Sequence, residues 1–121
     1  HAGLIQLAQA HRVARWPVAQ RLQHCPRAIS YPIELALGML PVRRIWLYGS
    51  RARGDARVTS DIDMAFELSP EGATRWSEFA VEVEDTAPTL LVYDLLRMDR
   101  ADPAVKKRIE EEGLLLYEHR G

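Results

Sequence analysis

The residues able to do chemistry lie in one stretch, Gly49-Ser50-Arg51-Ala52-Arg53-Gly54-Asp55-Ala56-Arg57-Val58-Thr59-Ser60-Asp61-Ile62-Asp63. A Gly-Ser pair follows an apolar run, Ile45-Trp46-Leu47-Tyr48, and ten residues later Asp61 and Asp63 open a second run, Met64-Ala65-Phe66. In a strand, side chains at i and i+2 share a face, so the two carboxylates stand side by side. Like charges so placed repel, and one is pushed toward protonation. A hard divalent cation removes that penalty, and Mg²⁺ is typically held by one or two carboxylates plus substrate phosphates. Ser60-Asp61 also fits a plain turn leading into a strand, with both side chains bonding local backbone. That reading does not extend to Asp63, because a carboxylate buried without a partner in an apolar strand is costly. A strand running into a turn and then a helix start presents free N–H groups to an anion. Gly49 lets backbone approach a phosphate, and the Ser50 hydroxyl can hydrogen-bond it. Arg43, Arg44, Arg51, Arg53 and Arg57 gather around this segment. They suit a triphosphate, with Arg51 and Arg53 as the expected ligands; the plainer reading is a solvated basic surface.

The elements that must position these residues read as an α/β alternation. Leu4, Ile5, Leu7, Ala8, Val13, Ala14 and Trp16 have amphipathic helical spacing over residues 3–16. Pro17 suits the start of a second short helix ending at Cys25-Pro26, and Pro32 the start of a third over Ile33 to Met39. Residues 44–48 read as a strand, Ser50 to Gly54 as one helical turn, and Asp61 to Leu68 as a second strand. Ser69-Pro70-Glu71 carries helix-start signals for a helix reaching Asp85. Leu90 to Leu96 is β-rich, Asp102-Pro103 opens a last helix ending at Gly113, and Leu114 to Tyr117 closes the chain with a short strand. The expected architecture is α/β (α+β): a small mixed sheet with packed helices.

With 121 residues the chain is one globular domain by length. Its net charge of −1 gives no field favouring nucleic acid. A single cysteine, Cys25, excludes an internal disulfide and fits a reducing, cytoplasmic setting. It reads as a small apolar residue. No signal peptide or membrane-length apolar run is visible. His1, His11, His24 and His119 share no metal-ligand spacing, and no Walker A pattern occurs. Trp16, Trp46 and Trp76 read as core residues. Tyr48 fits either packing or a pocket wall.

The spacing Gly-Ser, ten residues, Asp-x-Asp resembles the signature of the DNA polymerase beta-type nucleotidyltransferase superfamily, and the length resembles its minimal nucleotidyltransferase (MNT) family. The resemblance covers roughly residues 32–118, which leaves 1–31 as an N-terminal helical extension and 32–121 as the nucleotidyltransferase domain. It implies a third carboxylate on a later strand, a role that Asp94 fills in Leu90-Leu91-Val92-Tyr93-Asp94-Leu95-Leu96. Tyr93 departs from the pattern, standing where a smaller aliphatic residue is common. The resemblance further implies two Mg²⁺ ions held by Asp61, Asp63 and Asp94, with ATP as donor of AMP. Gly49 and Ser50 would hold the triphosphate. Larger relatives add a helical domain for the acceptor; none is seen here, so a partner protein is expected to present it. Similar minimal nucleotidyltransferases are the antitoxin halves of HEPN–MNT pairs, which implies a helical HEPN toxin as partner; self-association is compatible. The alternatives are a non-catalytic nucleotide-binding or partner-neutralising module, and transfer to a small molecule or RNA end.

Overall fold

Two apolar runs, each flanked by turn-forming residues, dictate the centre of the molecule. In the computed structural model, which describes residues 10–120, they are β1 (Val42–Tyr48) and β2 (Ile62–Leu68). With β3 (Tyr93–Arg97) and β4 (Leu114–Glu118) they form one sheet in the order β3-β2-β1-β4. β1 is antiparallel to both β2 and β4, and β2 is parallel to β3. The parallel pair needs a crossover, supplied by α4 (Trp76–Thr86). The other helices are α1 (Val18–Arg21), α2 (Arg27–Met39), α3 (Ser50–Arg53) and α5 (Pro103–Glu112). This is the mixed α/β architecture expected. No helix among the described residues is long and apolar enough to cross a membrane.

Strand alternation divides the core. On one face Ile45, Leu47, Ile62, Met64, Phe66, Leu114 and Leu116 pack against Ile29, Ile33 and Ala36 of α2 and Phe79 and Val83 of α4. Phe66 meets Trp76 and Phe79 edge-on, at 5.4 and 5.3 Å between ring centres. On the other face Trp46 and Ala65 pack against Met98 and Ile109, the latter from α5.

Several boundaries differ from expectation. Residues 1–9, including Leu4, Ile5 and Leu7, lie outside the described residues. Of the first expected helix, Ala10–Arg15 is a 3₁₀ stretch. Trp16 is not core: it is 42% exposed and stacks on His24 at 3.6 Å. Helix α2 begins at Arg27 rather than Pro32, because its first turn closes on the Pro26 carbonyl, which accepts from the Ile29 and Ser30 amides. Pro32 therefore sits inside the helix, where it has no N–H to give the carbonyl four residues back. That carbonyl, of Ala28, accepts instead from the Tyr93 hydroxyl. Burial pushes the Tyr93 hydroxyl above its usual range, so it stays a donor. Ser69 does not cap α4; its amide bonds the Pro41 carbonyl at the exit of β2, and α4 starts at Trp76 after a 3₁₀ turn over Gly72–Arg75. Asp102 occupies the N-cap of α5, with Pro103 in the first turn, but makes no side-chain cap bond. β3 starts at Tyr93, after a turn in which the Thr89 hydroxyl accepts from the Leu91 amide, and Leu90 stands fully exposed.

Candidate active site

The period of β2 assigns the side chains. Ile62, Met64 and Phe66 enter the first core, so Asp63 and Ala65 face the α5 side. The ladders then bring three side chains abreast on that face: Tyr48 pairs with Asp63 across β1 and β2, and Asp63 pairs with Asp94 across β2 and β3. Asp61 lies just before β2 and is exposed. Its neighbour Ile62 is anchored by a 2.9 Å bond from its amide to the Val92 carbonyl. All three expected carboxylates thus converge at one end of the sheet, two from strands and one from the turn before β2.

Gly49 ends β1 against this group. Its φ of 73° and ψ of −154° suit only glycine. An added Cβ would collide with Asp63 Oδ2 and lie 3.2 Å from its Cγ. Backbone at Gly49 therefore lies directly against the carboxylate, as a metal–phosphate site requires. Ser50 opens α3, which closes at Gly54 in the left-handed region. This helix is a single turn, so a phosphate would be held by local N–H groups and the Ser50 hydroxyl rather than by a helix dipole.

The carboxylates strain against one another. Burial, then the charges of Asp94 and Asp61, push the Asp63 carboxyl up to about 6, while Arg51 and Arg53 act the other way. Tyr48 is pushed up to about 12, by burial first and then by Asp94 and Asp63. A crowded set of oxygen donors lacking close ion pairs suits a hard divalent cation. Among the described residues no group of three or more His, Cys, Asp or Glu side chains is placed to hold a metal ion by itself.

The two expected phosphate arginines occupy different places. Arg53 is exposed, pairs with Asp55 at 3.3 Å, and borders a hollow of about 210 Å³ with Tyr48 and Gly49. Arg51 is 1% exposed. Its Nη2 donates to the carbonyls of Arg57, Val58 and Ser60, at 3.4, 3.3 and 2.5 Å. This places Arg51 under the loop rather than at the surface where a phosphate would lie. The far wall of the hollow is α5, with Val105, Arg108, Ile109 and Glu112. Sequence reasoning assigned Arg108 and Glu112 no role. Their i, i+4 spacing puts them on one helix face, but only the packing of α5 beside β1 turns that face to the site. Cys25 packs against the core and burial pushes its thiol up to about 12, in keeping with a small apolar residue.

The chain belongs to a known family: the model of the polymerase beta nucleotidyltransferases matches residues 35–120. No curated protein matches. Among solved structures the chain is similar to a toxin–antitoxin with AMP-PNP, at 22% identity and a TM-score of 0.54, covering 73% of this chain and 71% of that one. It is also similar to the toxin–antitoxin MntA-HepT, at 21% identity and a TM-score of 0.56 over 76% of this chain and 71% of that one. A mutant of that pair gives 22% identity and a TM-score of 0.57 over 73% and 70%. At this identity the likeness establishes the nucleotidyltransferase fold.

Proposed function

We propose that the chain transfers a nucleoside monophosphate, AMP from ATP, to a hydroxyl on a helical partner protein of the HEPN toxin type. The observation that carries the reading is the register that sets Asp63 beside Asp94, with glycine backbone pressed against Asp63. Asp61, Asp63 and Asp94 would hold Mg²⁺, which when bound neutralises phosphate charge and acidifies the acceptor hydroxyl. Gly49 and Ser50 hold the triphosphate, and Arg53 adds positive charge at the rim. The acceptor oxygen attacks the α-phosphorus, the bond to the bridging oxygen of the β-phosphate breaks, and pyrophosphate leaves. Asp94, exposed and carried on the edge strand β3, faces the acceptor side and takes the hydroxyl proton. Rate enhancement of this kind comes mainly from positioning and charge compensation. The partner assignment draws support from the toxin–antitoxin pairs of similar fold.

The test is incubation of the chain with α-labelled ATP, Mg²⁺ and a lysate of the source cell, followed by identification of the labelled species. AMP on a small helical protein, absent with Asp63→Asn, is the expected result. Label on RNA or a metabolite removes the partner assignment and keeps the transferase. No label on any species overturns the enzymatic reading.

A further inference from the structure

Asp61 and Asp63 are held by different means. Asp63 is inside β2 and laddered on both sides. Asp61 follows an irregular loop, residues 54–60, that has little apolar anchorage: Val58 is 43% exposed, and Asp55, Arg57 and Thr59 are exposed. Inside the loop one turn is closed, by the Ser60 amide on the Arg57 carbonyl and the Arg57 amide on the Ser60 hydroxyl. What joins that turn to the body of the molecule is Arg51, whose Nη2 meets the Arg57, Val58 and Ser60 carbonyls. The Ser60 carbonyl belongs to the peptide plane that leads into Asp61. One residue further on, the Ile62 amide is tied to Val92. Asp61 is thus bracketed by two anchors, and the first of them is Arg51.

A buried guanidinium is an expensive way to fill space. Arg51 Nε and Nη1 are buried with no partner, and unmet buried donors cost stability. A well-packed apolar side chain of similar volume commonly matches or exceeds a buried ionic group in stability. The compensation in view is the charge of Asp63 and Asp61, which acts on this guanidinium. We propose that Arg51 is a positioning residue: its guanidinium clamps the loop ahead of β2 and thereby sets Asp61, and it does not touch a phosphate. The activity arm of the test rests on the nucleotidyl-transfer reading; the structural arm does not.

Arg51→Met keeps the length and removes the donors. Its melting temperature is expected not to fall, while hydrogen exchange at the Arg57 and Ser60 amides accelerates about tenfold or more, the effect of losing a charge-assisted bond. Affinity for Mg²⁺-ATP drops by a comparable factor, and affinity for ATP in EDTA does not change. Arg51→Lys, with charge but no fork, falls between the two on both readouts, and it decides the matter if Arg51→Met does not fold. Wild-type exchange in the loop of either variant overturns the clamp. Equal loss of ATP binding with and without Mg²⁺ overturns it too, by making Arg51 a phosphate ligand. If the wild-type chain binds no Mg²⁺-ATP, the transfer reading fails, and loop exchange still decides the clamp.

Discussion

Replacing Asp63 by Asn is expected to make the metal-free protein more stable while destroying its transfer activity. A carboxyl that titrates near 6 instead of 3.8 is costly to ionise in place, by roughly 3 kcal/mol at the upper limit. Asp63 is only partly buried, and solvent screening lowers this to about 1–2 kcal/mol. The sign follows from the direction of the shift. The folded state holds this proton more tightly than the unfolded chain, so the stabilisation is complete below the ordinary carboxylate value and is lost as pH rises through 6. At pH 8 wild-type Asp63 carries the full cost, and Asn, nearly isosteric and neutral, carries none. For a chain of this size the gain corresponds to a rise of about 3–8 °C in melting temperature. The assay is thermal unfolding in EDTA at pH 8, repeated in steps down to pH 3.5. The difference between variant and wild type should be largest at pH 8, shrink below pH 6 and vanish at the acid end. Mg²⁺ should raise the wild-type melting temperature and leave the variant alone. An Asn variant less stable than wild type at pH 8, or a difference independent of pH, would refute the reasoning about crowded carboxylates.

Other outcomes follow from the same geometry. Gly49→Ala places a methyl on Asp63 Oδ2 and forces a glycine-only backbone region, so it should cost about 1–3 kcal/mol and abolish Mg²⁺-ATP binding; a stable, ATP-binding Ala variant would contradict the close approach. Asp94→Asn should lower turnover by about a hundredfold or more, the size of a lost general base, with little change in ATP affinity by calorimetry. Equal losses in both would move Asp94 to the nucleotide side. Tyr93→Phe strands the Ala28 carbonyl inside α2 and should cost about 1–3 kcal/mol in denaturant unfolding. The same change made in a Pro32→Ala background, where an N–H is restored to that carbonyl, should cost clearly less.

What could be read from the sequence was what depends on local pattern. The period of two in Ile62–Leu68 puts Asp63 opposite the core, and Gly49 is the residue a sharp, close turn demands. Both follow from neighbours in the chain. The third carboxylate came from family likeness, since nothing near Asp94 says that β3 lies parallel to β2. The misreadings were all long-range. Pro32 has the appearance of a helix start because the group that tolerates it inside α2 is a tyrosine on a distant strand. The same tyrosine was the odd residue beside Asp94, and the two anomalies explain each other. Arg51 has the local pattern of a phosphate ligand; that its side chain lies buried beneath the loop depends on where the loop folds back, which no spacing encodes. Ser69 carries a cap signature, yet its hydroxyl makes no cap bond and the helix starts only at Trp76, while its amide is bonded to Pro41 across the sheet exit.

The order of the strands gives the site two walls of unequal stiffness. Gly49 directly follows β1 and Asp63 lies in β2, two strands with a neighbour on either side, whereas Asp94 rides on β3, laddered on one side only. Local opening is cheaper at a margin than at the centre of a sheet. On the proposed reading, the donor side of the pocket is therefore the fixed jaw, and the acceptor side the compliant one. A catalyst built this way holds its nucleotide in one pose while letting the opposite jaw adjust to whatever surface carries the hydroxyl. Tolerance toward changes in the acceptor, with strictness toward the donor, would then be a property of strand order before it is a property of any side chain.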